Sequence, residues 1–185
     1  MNNIKGKVIL LGGCPRAGKT TLSVKLVRSG LGFSKISMDY IGEAFGNTDV
    51  DKFEFAKTLL EKLLHDAQAY GIHSIFDYYP DEFTLDDIQK LPFKDELDMY
   101  FLGFPDISVE AIRYNIKHYA KPIDWIYHVD DDYIAVVAQR IYDFNIKLKA
   151  DCEKYGYKYI NTGVGGERPV ILNSLYDEII EKVGR

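Results

Sequence analysis

The stretch that decides the fold is an eight-residue loop near the start of the chain, Gly13-Cys14-Pro15-Arg16-Ala17-Gly18-Lys19-Thr20. It matches the pattern G-x-x-x-x-G-K-[ST] without a gap, between an apolar run at 8–11 and a helical pattern. In that setting the glycines let the backbone curl so that successive N–H groups point inward, towards an anion. Chance produces the bare pattern in a chain of this length with a probability on the order of 1%. The sequence therefore predicts a phosphate-binding loop over 13–20, called the phosphate loop below.

Within the phosphate loop the residue types predict separate roles. The Lys19 ammonium is expected to reach the β- and γ-phosphates of a nucleotide, and the Thr20 hydroxyl is expected to ligate Mg²⁺. The predicted nucleotide-binding residues are Gly13, Cys14, Pro15, Arg16, Ala17, Gly18, Lys19, Thr20 and Thr21.

Length and composition limit the possible classes of protein. The 185 residues carry 23 basic and 28 acidic side chains, and 46% of the residues are hydrophobic, which predicts one globular domain over 1–185. A net charge of −5 disfavours a nucleic-acid or anionic-membrane partner. No stretch approaches the roughly 20 apolar residues of a membrane helix, and the run 8–11 is too short for a secretory signal. We therefore expect a soluble, cytoplasmic protein.

Strand-like and helix-like patterns alternate along the chain. The predicted strands cover 7–11, 33–38, 72–76, 97–104 and 157–160. The predicted helices cover 20–29, 51–70, a short segment that begins with the capping box at 84–87, about 131–155, and a last helix from Pro169 to Val183. This alternation predicts an α/β domain with a parallel sheet and helices on both faces.

The phosphate loop and the order of elements resemble the P-loop nucleoside-triphosphate-binding superfamily, and specifically its small kinases. These include nucleoside, nucleotide, shikimate and gluconate kinases and antibiotic phosphotransferases. The resemblance implies a three-layer fold with a five-stranded sheet in the order 2-3-1-4-5, ATP and Mg²⁺ as cofactors, and a small lid. We place the lid at approximately 108–132. Only the loop at 13–20 is a specific match.

Two strand-end acids are candidates for the chemistry. Asp39 ends the second strand, where a carboxylate resembles the acid that orients or deprotonates the acceptor hydroxyl in such kinases; the alternative is an Asp that caps the next turn. Asp77 ends the third strand and is the candidate Walker-B acid, which would hold Mg²⁺ together with Thr20. The segment after Asp77 resembles the Asp-Gly-Phe-Pro-Arg signature of nucleoside monophosphate kinases, but Tyr78 replaces its glycine and Asp81 replaces its arginine. An acid there would repel a monophosphate.

Cations that could neutralise the developing charge are few. Arg113 and Arg140 flank the lid and are predicted to be catalytic, with solvated surface arginines as the alternative. Arg168 follows the last strand beside the glycine-rich segment 161–166, which would lie on the adenine side of a bound nucleotide or serve as a simple connector.

These residues predict an ATP-dependent phosphotransferase that moves the γ-phosphate to a small-molecule hydroxyl, such as that of a nucleoside, a sugar or an antibiotic. A nucleotide-binding regulator or slow ATPase without an acceptor is the first alternative. A nucleic-acid end kinase is the second, and the net charge disfavours it. The acceptor, the preference for ATP over GTP and the oligomeric state are not readable from the sequence.

Overall fold

The apolar runs become the strands of one parallel sheet. The computed structural model describes residues 5–38, 41, 51–80, 83–122, 125–163 and 166–184. The strands are β1 (Val8–Gly13), β2 (Phe33–Ser37), β3 (His73–Asp77), β4 (Asp98–Gly103) and β5 (Tyr159–Asn161). They lie in the order β2-β3-β1-β4-β5, and all four pairings are parallel. The expected strand order is therefore confirmed.

Within the described ranges, six helices connect and cover the strands. They are α1 (Lys19–Val27), α2 (Lys52–Tyr70), α3 (Leu85–Gln89), α4 (Val109–Tyr119), α5 (Asp131–Tyr155) and α6 (Glu167–Val183), with 3₁₀ turns at Lys94–Glu96 and Trp125–His128. Local chemistry sets several of their ends. Thr84 and Asp87 form the predicted capping box of α3, and Gly71 and Gly156 end α2 and α5 in the left-handed conformation that glycine adopts easily.

The core lies in two layers because side chains alternate across each strand. Ile9 and Leu11 of β1 pack in one cluster with buried residues of α1, α4 and α6. Val8 and Leu10 pack in the other cluster, with buried residues of α2 and α3. Helices therefore cover both faces of the sheet, as predicted, and every strand ends at the same edge.

Several element bounds differ from the prediction by one or two residues, and one helix was not predicted. Helix α4 lies inside the expected lid and was not predicted, because only Ile112 and Ile116 of its residues are buried and its apolar pattern is short. Strand β1 continues to Gly13 because it pairs with β4 up to that residue. Helix α6 begins at Glu167, so that Pro169 lies within its first turn, where the missing N–H costs nothing. Among the described residues, no helix has both the length and the apolar character needed to cross a membrane.

Candidate active site

The phosphate loop leaves β1 in close contact with β4. The Cys14 N–H donates to the Leu102 carbonyl at 2.8 Å, and Gly13 has a φ of 142°. A Cβ at Gly13 would lie 2.2 Å from the same carbonyl oxygen. Only glycine therefore allows the loop to start at this place with this backbone conformation.

Lys19 folds back across the loop that precedes it. Its ammonium donates to the carbonyl oxygens of Gly13 at 2.8 Å and Cys14 at 3.2 Å, and only 9% of the residue is exposed. Because these two hydrogen bonds hold the ammonium, the positive charge of Lys19 lies over the loop and does not extend into solvent. Thr20 and Thr21, the next two residues of α1, are exposed at the start of the helix.

The N-terminus of α1 lacks the capping side chain or first-turn acid that stabilises the N-terminus of each other described helix. Gly18 precedes α1 in the left-handed conformation, no side chain among the described residues caps the helix, and its first turn contains no acid. Side chains cap four other helices: Asp51 at α2, Thr84 at α3, Ser108 at α4 and Asp130 at α5. Helix α6 has Glu167 in its first turn. The first N–H groups of α1 and its positive dipole end are thus available to an anion.

Cys14 anchors the loop and is poorly suited to thiol chemistry. Its side chain is buried, and its thiol donates weakly to the Ile141 carbonyl of α5 at 3.6 Å. Burial raises the pKa of the Cys14 thiol to about 12, although the nearby Lys19 charge acts in the opposite direction. The residue therefore links the phosphate loop to α5 as a small hydrophobic side chain.

A cavity of about 320 Å³ opens beside the phosphate loop. Its lining residues come from the loop, the end of β4, α4, α5 and the start of α6: Arg16, Phe104, Ile107, Ile112, Asn115, Tyr119, Ile141, Gly166 and Arg168. Arg16 has a φ of 65°, a conformation that costs energy in a residue with a Cβ and that is concentrated at binding sites. The volume and the mixture of apolar walls with a few polar groups are typical of a small-ligand site.

Arg168 forms one wall of this cavity. Its guanidinium carbon lies 5.4 Å from the centre of the Phe104 ring, and its Nη2 donates to the Gly163 carbonyl at 3.0 Å. Burial and, to a smaller degree, the positive charge of Arg16 lower the pKa of Arg168. Two guanidinium groups therefore face one space, and an anionic or electron-rich ligand would relieve their repulsion.

The segment after β5 is tied to the end of β4. The Asn161 amide donates to Asp106 at 2.6 Å, and its carbonyl oxygen accepts the Gly163 N–H at 3.0 Å. The Thr162 hydroxyl donates to the Gly103 carbonyl at 3.1 Å. These bonds fix the described part of the glycine-rich segment beside the cavity that Arg168 lines.

Asp77 lies at the carboxyl end of β3 and is 3% exposed. The Lys35 ammonium of β2 lies 2.8 Å from its Oδ2, a partner that sequence reasoning did not identify. Side chains alternate across a strand, so Lys35 and Asp77 lie on the same face of the sheet. Their contact depends on the register between β2 and β3, which cannot be read from the sequence. Asp39, the other candidate acid, and Asp81 lie outside the described residues.

The two predicted lid arginines lie away from the cavity lining. Arg113 of α4 has its Nη2 3.8 Å from Oδ2 of Asp131, which also contacts the Lys117 ammonium. The contact with Lys117 is the main reason for the lowered pKa of Asp131. Arg140 is exposed on α5. Their catalytic roles remain predictions.

The two residues predicted to bind Mg²⁺, Thr20 and Asp77, carry oxygen atoms of the kind that Mg²⁺ prefers. Mg²⁺ prefers oxygen ligands and is usually bound through one or two protein oxygens together with substrate phosphates. Thr20 and Asp77 supply such oxygens, and the described residues contain no cluster of three or more metal-ligating side chains.

Comparisons with known proteins identify the fold. No family model and no curated protein sequence matches this chain. Among solved structures, the shikimate kinase of Bacteroides thetaiotaomicron is similar at 15% identity, with a TM-score of 0.58 over 95% of this chain and 98% of that one. The tunicamycin resistance protein of Deinococcus radiodurans has 15% identity and a TM-score of 0.56 over 97% and 96%. A shikimate kinase of Acinetobacter baumannii has 16% identity and a TM-score of 0.51 over 97% and 96%. The chain has the fold of these three solved structures.

Proposed function

We propose that this protein is a kinase that transfers the γ-phosphate of ATP, with Mg²⁺, to a hydroxyl group of a small molecule. The observation that carries the proposal is the lysine held over the phosphate loop beside an uncapped helix N-terminus. This arrangement concentrates backbone N–H groups and one ammonium at a single anion site. The shared fold with solved kinases supports the same activity class.

The donor nucleotide would occupy the phosphate loop and the neighbouring cavity. The loop N–H groups and the start of α1 bind the phosphates, and Lys19 exchanges its two carbonyl contacts for the β- and γ-phosphate oxygens. The base and ribose extend into the cavity between Phe104, Arg16 and Arg168. Thr20 and Asp77 would hold Mg²⁺, which supplies charge neutralisation to the phosphates when it is bound.

The acceptor would approach the opposite side of the loop, at the carboxyl ends of β2 and β3. Its hydroxyl oxygen forms a bond to the γ-phosphorus while the bond from phosphorus to the β–γ bridging oxygen breaks, leaving ADP with that electron pair. Asp39 is the proposed base for the hydroxyl proton. Arg113 and Arg140 are proposed to neutralise charge when the lid closes, and this chemistry depends mainly on positioning and charge stabilisation. The cytoplasm remains the predicted location.

The test measures ADP release from Mg·ATP with pooled nucleosides, sugars and hydroxylated metabolites. The variants are Lys19→Ala and Asp39→Asn, with Lys25→Ala as the matched control. Lys25 lies on the same helix, but its ammonium binds Asn173 and lies over the Tyr176 ring, away from the loop. We expect acceptor-stimulated turnover that both site variants lose and the control keeps.

Nucleotide binding, measured separately, distinguishes the alternatives. If the wild type binds ATP, Lys19→Ala abolishes binding, and no acceptor stimulates turnover, the kinase proposal fails and the regulator interpretation replaces it. An oligonucleotide end that accepts phosphate, with an affinity that falls steeply with salt, would instead identify an end kinase.

A further inference from the structure

Lys35 reaches along the sheet to the end of the neighbouring strand. Its ammonium lies 2.8 Å from Oδ2 of Asp77, and the two side chains are 19% and 4% exposed. In the β2–β3 register, Lys35 lies opposite Ile75, whereas Ser37 lies opposite Asp77. Lys35 therefore extends over about 7 Å of strand, two residues at roughly 3.3 Å each, towards the carboxyl edge.

The Asp77 carboxylate faces the side of the sheet that carries α1. Asp77 lies opposite Leu11 in the β1–β3 register, and side chains at paired positions point to the same face. Leu11 and Ile75 pack in the cluster that contains Leu22 and Leu26 of α1. The phosphate loop begins at Gly13, two residues beyond Leu11. The ion pair consequently lies on the face and at the edge where a nucleotide's phosphates would bind.

The contact with Lys35 restricts the orientation of the Asp77 carboxylate. A carboxylate that is this deeply buried needs a charged partner, and a strong contact at one oxygen restricts rotation of the group. We propose that Lys35 is a positioning residue that holds Asp77 in the orientation needed for its role in magnesium and nucleotide binding. This inference rests on the proposed function, because that function assigns Asp77 to the metal.

The test titrates Mg²⁺ into protein mixed with a fluorescent ATP analogue and follows binding of the analogue. The variants are Lys35→Met, which removes the charge, and Lys35→Arg, which keeps it. Partners that orient a metal ligand typically change metal affinity by 10–100-fold when they are removed. We therefore expect Lys35→Met to raise the half-saturating Mg²⁺ concentration by about tenfold or more. Lys35→Arg should restore it to within about threefold of the wild type, since a guanidinium can also bind the carboxylate.

A matched control separates positioning from stability. Lys182→Met removes a lysine that donates to the buried Tyr100 hydroxyl at 2.8 Å and pairs with Glu178, away from the phosphate loop. We expect Lys182→Met to lower the melting temperature, as we also expect for Lys35→Met, while it leaves the Mg²⁺ titration unchanged. Each titration is run at a temperature where circular dichroism shows the variant to be folded.

The outcomes decide the inference independently of the activity. A folded Lys35→Met protein with the wild-type Mg²⁺ requirement would limit Lys35 to a structural role and overturn the proposal. If Lys35→Met does not fold, Lys35→Gln, which keeps a hydrogen-bond donor, is judged by the same criterion. A wild type that binds Mg·ATP but turns over no acceptor would defeat the proposed kinase function, while the titration would still test Lys35.

Discussion

Substituting Gly13 with alanine should weaken the fold and the phosphate loop together. Three costs combine at this residue. A side chain at a φ of 142° costs about 1–3 kcal/mol, and crowding against the β4 backbone costs about 1–3 kcal/mol. Moving the loop to relieve the 2.2 Å approach to the Leu102 carbonyl would also break the Cys14 hydrogen bond to that oxygen, worth about 1 kcal/mol. We expect a total loss of about 3–7 kcal/mol, a large part of the 5–15 kcal/mol typical of a domain.

Gly30→Ala is the matched control for the backbone conformation. Gly30 has a φ of 83°, and a Cβ there would meet no atom of the described residues within 4 Å, so alanine carries the conformational cost alone, about 1 kcal/mol. Urea unfolding followed by circular dichroism gives both free energies, and ATP binding at low temperature reports on the loop. If Gly13→Ala costs no more than Gly30→Ala, the close approach to β4 does not determine the position of the loop.

Three further predictions concern titration, reactivity and capping. Burial, followed by the Lys7 charge, lowers the pKa of His73 below its usual 6.5, while its Nδ1 accepts the Lys7 N–H. The unfolded chain therefore binds the proton more readily, so stability is full above about pH 6.5 and declines as the pH falls through that value towards the lower pKa of the folded state. Urea midpoints at pH 7.5 and 5.5 should differ less in His73→Asn than in the wild type, and an equal difference would contradict this. Cys14 should resist iodoacetamide in the native protein at pH 8 and react after unfolding, because its thiol is buried with a pKa of about 12; rapid labelling of the native protein, read by peptide mass spectrometry, would refute it. Thr84→Ala should cost about 1 kcal/mol in urea unfolding through loss of the capping box, whereas Thr84→Ser should cost little; equal costs would show that the cap contributes nothing.

Most of the fold follows from short-range patterns in the sequence. The phosphate loop fixes the junction of β1 and α1, and the apolar positions of α2, with its glycine C-cap, predict that helix to within one residue. Helix α4 is different, because only Ile112 and Ile116 are buried in it and its amphipathic signal is too short to distinguish it from the rest of the segment predicted as a lid. The strand order came from the resemblance to the P-loop kinases, since periodicity alone does not say which strands are neighbours.

The candidate site was less accessible to sequence reasoning because its contacts join distant parts of the chain. Lys35 and Asp77 meet only through the β2–β3 register, and nothing near Lys35 marks it as a partner of an acid. Arg168 lines the cavity because Asn161 and Thr162 tie its segment to the end of β4. The glycines of that segment indicated flexibility or close approach, but they did not distinguish a binding loop from a connector.

The ion pair between Arg113 and Asp131 affects how easily the Arg113 side chain could turn towards the phosphates of a bound nucleotide. Nη2 of Arg113 lies 3.8 Å from Oδ2 of Asp131, and the two side chains are 41% and 64% exposed. Exposed pairs of this kind contribute about 0–1 kcal/mol, because water screens the charges and long side chains lose freedom when they are held. A bound triphosphate in a partly enclosed site attracts a guanidinium more strongly, since several negative charges act together in a lower dielectric. Breaking the contact with Asp131 is therefore a small cost compared with that gain, so this ion pair is compatible with the proposed role of Arg113 at the phosphates.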